Sequence, residues 1–515
     1  MRPDADKLER MSTDTDAWER FSARMRALRH LESIGGLMGW DEQTFMPPKA
    51  APGRAAATGT LASIEHERLI SPEYGNLIDE LSERDLDADR RAMVDLARRS
   101  RDRAVKLPPE LVREMAELAS RSQAAWVRAR ASDDFKIFEP LLQRMLELKA
   151  QQAEHLGYEE EPYDAHLDLF ERGATAARLQ PMFDAVSAGI TPTLEAVLAR
   201  DDGSRRFPPG PYDTDAVLDY CADLLSRMGY DMEAGRLDVS AHPFTSGVGP
   251  SDARVTTRVD PDDPKEAILA SLHEMGHGLY HLGQREDWVE TTIGTSVSLG
   301  VDESQSRLWE NHVGRSLAFW EGEFAHAAKA LEPLAKASPE EIYRAVNRVQ
   351  RSLIRVKADE VTYPLHIAVR FQIERAISNG ELQAADLPAA WNELYGRHLG
   401  IRPPSDADGV LQDVHWSIGY LGYFPTYLIG SVYAAALFES FTAGAGGPDA
   451  VAGLLREGDF APLLEWLRRN VHRVGSSKLP AEIIADATGR PVDAGIDTAP
   501  FVSYIEDKYR DLYGL

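Results

Sequence analysis

The stretch DPKEAILASLHEMGHGLYHLG, residues 263–283, decides how the chain is read. Its apolar positions Ile268, Leu269, Leu272 and Leu279 recur at spacings of three and four, which predicts a helix. Asp263-Pro264-Lys265-Glu266 has the form of a helix start: an N-cap acid, Pro at the first helical position and Glu closing a capping box. Gly283 is a plausible stop. Inside lies His273-Glu274-Met275-Gly276-His277, an HExxH motif. Positions i and i+4 share a helix face, so both imidazoles can reach one zinc ion about 2.0–2.1 Å away. Glu274 then lies beside them to take a proton from a metal-activated water. With 14 His and 83 Asp+Glu in 515 residues, a chance H-[DE]-x-x-H is expected about 0.06 times. The plain alternative is a pair of surface histidines with an incidental glutamate. The apolar surroundings argue against it, because two imidazoles and a carboxylate buried without a partner are costly and a bound metal removes that cost.

A catalytic zinc takes three protein ligands and keeps one position open. The third is expected downstream, on a second helix opened by Val301-Asp302-Glu303-Ser304-Gln305-Ser306-Arg307. Glu303 is the first choice; Glu310, two turns on along the same face, is the fallback. Glu286 and Glu290 lie in the connecting segment and are less well held, and His281 is too far along the helix axis.

Beyond the motif the chain reads as mainly α. Arg90–Ala104, Leu111–Arg130, Phe135–Leu156, Thr175–Ala199 and Pro339–Ile377 all show helical apolar spacing. Pro- and Gly-rich punctuation falls at Pro47-Pro48, Pro108-Pro109, Phe207–Pro211, Arg402–Pro404 and Gly444–Pro448, with no internal repeat. The clearest strand-like alternation is Ala253–Val259, which suggests one small β element near a cleft. Ser417 to Phe438 carries no Asp, Glu, Lys or Arg and is long enough to cross a bilayer. Its tyrosines are spread along its whole length instead of gathering at the ends, so it reads as a buried, tyrosine-lined wall and not a membrane span.

Composition narrows the functional classes. The chain is 43% hydrophobic and 27% charged, an ordinary globular balance. Its 57 Lys+Arg against 83 Asp+Glu give a net charge of −26, which argues against nucleic-acid partners and acidic membranes. One cysteine, Cys221, excludes a disulfide framework and a cysteine-rich metal site, and reads as a buried small apolar residue. Residues 1–20 are charged throughout with no apolar h-region, so a reducing cytoplasm is the expected location.

Further motifs carry a resemblance. The chain resembles the thermostable carboxypeptidase (carboxypeptidase Taq) family of metallocarboxypeptidases, whose motifs recur in order. They stand as His242-Pro243-Phe244, Asp252-Ala253-Arg254-Val255-Thr256, the HExxH motif, Glu303-Ser304-Gln305, Ile354-Arg355-Val356-Lys357-Ala358-Asp359 and Gly409-Val410-Leu411-Gln412-Asp413-Val414-His415-Trp416. Trp40-Asp41, Met46-Pro47 and Arg54 also look like the family's N-terminal helices. One departure stands out: Asp302 occupies the position before the ligand glutamate where the family usually has His, and a role behind the ligands is expected for it.

The resemblance implies one catalytic domain over residues 1–515, a helical gluzincin (neurolysin-like) body whose lobes surround a deep cleft. It implies removal of single residues from the free C-termini of peptides, zinc with cobalt as an acceptable substitute, and a homodimer. An exopeptidase of this kind must bind a terminal carboxylate, which the arginine fork does best. Arg355 is expected on a long helix with Asp359, Thr362 and His366 as its polar stripe; Arg254, held by Asp252 and the neighbouring threonines including Thr256, is the second candidate. Glu274 would be general base and acid, with His415 and Tyr423 as donors to the oxyanion. His242, Pro243, Phe244, Gln412 and Asp413 would shape the cleft and limit substrate length. Two other functions compete: an endo-acting oligopeptidase on a related scaffold, which needs no carboxylate clamp, and a non-catalytic helical protein with structural zinc, which an intact Glu274 disfavours.

Overall fold

A computed structural model describes residues 5–491 and 495–515, with side chains from residue 16 onward. Twenty α-helices and one three-stranded sheet are found among the described residues. The motif region forms an 18-residue helix, Lys265–Leu282, that buries Ile268, Leu272, Met275 and Leu279 and stops before Gly283. Its start differs from expectation. No side-chain cap forms, because Asp263 pairs with Lys265 instead.

Strands β1 (Gly235–Val239), β2 (Thr245–Gly249) and β3 (Asp252–Thr257) form the sheet in the order β1-β3-β2. β3 runs parallel to β1 and antiparallel to β2. It covers most of the expected Ala253–Val259 strand; β1 and β2, five residues each and glycine-bearing, are too short for their pattern to stand out. The sheet is fastened to the motif helix at both ends. Thr257 Oγ1 donates to the Ala267 carbonyl at 3.0 Å, and the His281 ring meets the Gly249 carbonyl at 3.0 Å.

Four expected helices form as Ala88–Lys106, Pro109–Ser132, Glu139–Leu156 and Ala176–Arg200. The fifth does not. Pro339–Ile377 divides into Pro339–Val346 and Tyr363–Ser378, and Arg355 sits on a short 3₁₀ turn, Arg355–Lys357, between them. Pro364, in the first turn of the later helix, has no N–H to donate and disfavours helix in the residue before it. The Asp359 carboxylate accepts the N–H groups of Gln350, Val361 and Thr362 and the Thr362 hydroxyl. Asp359 therefore organises this turn and does not pair with Arg355.

The tyrosine-lined stretch becomes a turn, His415–Ile418, followed by the helix Pro425–Gly444, buried along most of its length. No single described helix is long and apolar enough to cross a membrane. One large core joins these helices, and a smaller one among the N-terminal helices (Phe21, Tyr74, Leu77, Val94) takes in Trp288 and Ile293 from the segment after the motif helix.

Glu303 lies on the helix Leu299–Arg307, clasped between the motif helix and Pro425–Gly444. Two glycines permit this. A Cβ at Gly276 would lie 2.6 Å from the Gln305 carbonyl oxygen and the Ser306 Cα; one at Gly430 would lie 2.5 Å from Glu303 Cβ and Cγ. Gly276→Ala and Gly430→Ala are each expected to destabilise the fold by about 1–3 kcal/mol in chemical denaturation. Gly59→Ala, on the helix Ala51–Ile70 with nothing within 4 Å, should be neutral or stabilising by up to about 1 kcal/mol. Equal effects at all three positions would contradict the clasp.

Candidate metal centre and active site

His273 and His277 project from one face of the motif helix, and Glu303 meets them from the adjoining helix. The Nε2 atom of each imidazole lies 3.5 Å from the same oxygen, Glu303 Oε2. One ligand atom from each of the three residues lies within 4.8 Å of the others. The 3.5 Å spacing is close to the roughly 3.4 Å edge of a tetrahedron with bonds of about 2.1 Å. Two imidazoles and a carboxylate, aimed at one point, suit a divalent cation.

The far sides of the imidazoles are fixed as well. Asp302 Oδ1 lies 2.7 Å from His277 Nδ1, and Glu310 Oε2 lies 2.9 Å from His273 Nδ1. Each carboxylate selects the tautomer that leaves Nε2 with a free lone pair facing the centre. Glu310, the fallback ligand, thus stands behind His273, and Asp302 stands behind His277. Glu310 gets there because the helix widens into a π-helical turn, Leu308–Gly314.

Two arginines balance this carboxylate cluster. Arg307 Nε donates to Glu303 Oε1 at 2.6 Å, and Arg315 Nη2 donates to Glu310 Oε1 at 2.9 Å. Burial favours the neutral form of Glu303, yet Arg307 and the two imidazoles hold it well below the usual carboxylate range. Burial likewise opposes charge on the imidazoles. Glu303 and Glu310 nevertheless push His273 up to about 9, and Asp302 holds His277 well above its ordinary value.

Glu274 is held by a residue that the sequence reading passed over. Thr245 Oγ1 lies 2.7 Å from Glu274 Oε2 and 2.9 Å from its carbonyl oxygen. The available signal was position: Thr245 directly follows His242-Pro243-Phe244. Those three form the turn between β1 and β2, with His242 exposed and Pro243 and Phe244 half-buried.

Other expected substrate contacts prove to be internal. Thr256 is fully buried and its hydroxyl is engaged by Ser240 and Phe244, so it braces the turn and reaches no substrate. Arg254 closes its fork on Asp252, at 2.8 Å for both contacts, and lies over the Trp40 ring. Gln412 accepts from the Arg355 N–H and donates to the Leu353 and Gly409 carbonyls, while Asp413 accepts from Arg355 and Arg370. Gln412 and Asp413 position Arg355 and are themselves saturated. Cys221 is buried, and burial pushes its thiol up to about 12.

Arg355 donates Nε and Nη2 to Asp413 Oδ1 at 3.0 and 2.9 Å and Nη1 to Tyr363 OH at 3.3 Å. Two of the five guanidinium N–H groups remain open. The Tyr427 ring centroid lies 4.9 Å from its guanidinium. Tyr363 also underlies Arg307, at 4.2 Å, and so links the Arg355 site to the Glu303 site. Neither Tyr363 nor Tyr427 was singled out from sequence. His415 and Tyr423 stand in the same wall, ring centroids 5.1 Å apart. Burial lowers His415 to about 3 and raises Tyr423 to about 12, so both are neutral donors at physiological pH.

Known proteins agree with this architecture. The family model described as carboxypeptidase Taq (M32) metallopeptidase matches residues 20–509. The chain is 40% identical to thermostable carboxypeptidase 1 of Thermus thermophilus, over 98% of this chain and 100% of that one. It is 39% identical to thermostable carboxypeptidase 1 of Pyrococcus furiosus, over 94% of this chain and 96% of that one. The crystal structure of an M32 carboxypeptidase from Deinococcus radiodurans matches with a TM-score of 0.92 at 38% identity, covering 97% of this chain and 100% of that chain. Sequence and fold thus agree over nearly the whole length, and the chain belongs to the carboxypeptidase Taq (M32) family of metallocarboxypeptidases.

Proposed function

We propose that the chain is a zinc carboxypeptidase in which His273, His277 and Glu303 hold the metal, Glu274 moves the protons and Arg355 reads the substrate's terminal carboxylate. The observation that carries this reading is the convergence of two Nε2 atoms on one carboxylate oxygen at 3.5 Å. Zinc, when bound, supplies a Lewis acid that polarises a carbonyl and acidifies water to near neutrality. Glu274, aimed by Thr245, takes the proton of the attacking water and returns it to the leaving amine. Tyr423 and His415 offer neutral N–H or O–H groups to the developing oxyanion. Arg355 is favoured over Arg254 for the carboxylate, because Tyr363 links Arg355 to Arg307 and the Glu303 site, whereas Arg254 lies over the Trp40 ring of the first helix. Peptides with a free C-terminus are the substrates, and cobalt suits the same donors. A single buried cysteine fits a reducing cytoplasm. Exposed Ile34 and Leu37 on the first helix, with Phe45 in the turn just after it, fit assembly as a homodimer.

The raised imidazoles set the pH dependence. Below about 9 the metal-free His273 carries a proton that a cation must displace. The sign for folding is opposite: this charge stabilises the metal-free fold fully below the ordinary 6.5 and is lost as pH rises through about 9. Apparent metal affinity, measured by competition with a chromogenic chelator, should fall by about tenfold per pH unit for each protonated imidazole as pH is lowered. A flat profile would contradict the assignment.

On a short free-acid peptide followed by mass spectrometry, the metal-loaded protein should give a ladder shortened one residue at a time from the C-terminus. The C-terminal amide should be spared. Glu274→Gln should lower kcat by about 10²–10⁴ with metal content unchanged. Internal fragments would reject the carboxylate clamp and favour an oligopeptidase; metal content with no turnover would favour the non-catalytic reading.

A further inference from the structure

A cavity of about 280 Å³ contains none of the residues of the metal centre. It approaches the size of small-ligand sites, which begin at about 300 Å³. Arg29 and Glu32 come from the first helix, Arg99 and Arg103 from Ala88–Lys106, and Asp168 and Arg172 from the end of Pro162–Phe170 and the turn beyond it. The segment leading into the Glu303 helix completes the wall with Thr295 and Ser296.

The lining is cationic in a chain of net charge −26: four arginines face two carboxylates, an excess of two positive charges. Glu32 is taken by Arg29. Arg99 and Arg103 crowd onto a single oxygen of Asp168, Oδ2, whose partner oxygen accepts the Gly173 N–H at 2.9 Å. Arg172 has no hydrogen bond or ion pair among the described residues, and its Nε is buried without a partner. Burial and the nearby Arg99 push both Arg103 and Arg172 below the usual guanidinium range. Three guanidiniums of the lining thus share one lining carboxylate; Glu482, outside the lining, also acts on Arg172 but forms no ion pair with it and accepts the Leu479 N–H.

We propose that this cavity binds a tetrahedral oxyanion: inorganic phosphate, or the phosphate group of a small phosphomonoester. A phosphate carries about −1.5 to −2 charges at neutral pH, which matches the excess of two, whereas a carboxylate would leave one uncompensated. Planar guanidiniums suit phosphate oxygens by paired hydrogen bonds. The nearby hydroxyls contribute little, since Thr295 is bonded to Ser476 at 2.8 Å and Ser296 to the Ser298 carbonyl at 3.0 Å. The arginines therefore carry the recognition. A bound anion ties the N-terminal helices to the body at the segment that leads to Glu303, so its occupancy raises the stability of the whole chain.

Calorimetry and thermal denaturation of the metal-loaded protein test this, with inorganic phosphate and glycerol phosphate as probes against chloride at equal ionic strength. Saturable one-to-one binding and a raised Tm are expected with at least one probe, and which probe binds more tightly separates the free ion from the phosphomonoester. Arg172→Ala, which breaks no ion pair, should weaken binding by about tenfold or more. Arg103→Gln should do the same, and Arg172→Ala decides if Arg103→Gln fails to fold. Undiminished binding in Arg172→Ala would put the anion elsewhere, the metal centre included, and overturn the proposal. Heats and Tm shifts no larger than those of chloride would overturn it too.

Discussion

The close approach of three helix backbones around Glu303 is the constraint on which the rest depends. Side chains larger than hydrogen at Gly276 or Gly430 would collide with the Glu303 helix at 2.5–2.6 Å. With both glycines present, Glu303 Oε2 is brought equally close to two imidazoles that already share a helix face. Packing density keeps that geometry: a buried helix with no slack on either side cannot shift one ligand without moving the others.

That geometry gathers three carboxylates, Asp302, Glu303 and Glu310, into a region of low dielectric, where like charges would repel strongly. Arg307 and Arg315 answer two of them directly, and the raised imidazoles carry the remaining compensation in the metal-free chain. A divalent cation replaces those imidazole protons with a fixed charge. Arg307 then reaches outward, over Tyr363, to Arg355 and Tyr427. The same buried polar network spans the proposed metal ligands and the proposed carboxylate clamp and ties the two together through Tyr363.

Much of this was legible in the chain. The spacing of Ile268, Leu272 and Leu279 placed both histidines on one face, and a helix opening at Val301 placed Glu303 and gave Asp302 a position behind the ligands. Glu310 was visible as a candidate, but its role turned on a π-helical widening that periodicity assumes away. Arg355 was picked out while its setting was misread, because apolar spacing continues across Pro364 although helix does not. Thr245, Tyr363 and Tyr427 went unread for another reason. Their importance comes from contacts with residues distant in sequence, which no local pattern encodes. Thr256, Asp359, Gln412 and Asp413 stood in recognisable motifs, yet their polar groups turn inward to hold other residues in place.

The most direct measurement is anomalous diffraction from crystals of the metal-loaded protein. A single peak is predicted, ligated by His273 Nε2, His277 Nε2 and Glu303, with Asp302 and Glu310 still bonded to the two Nδ1 atoms. A peak ligated directly by Asp302 or Glu310, or one lying away from Glu303, would contradict the account.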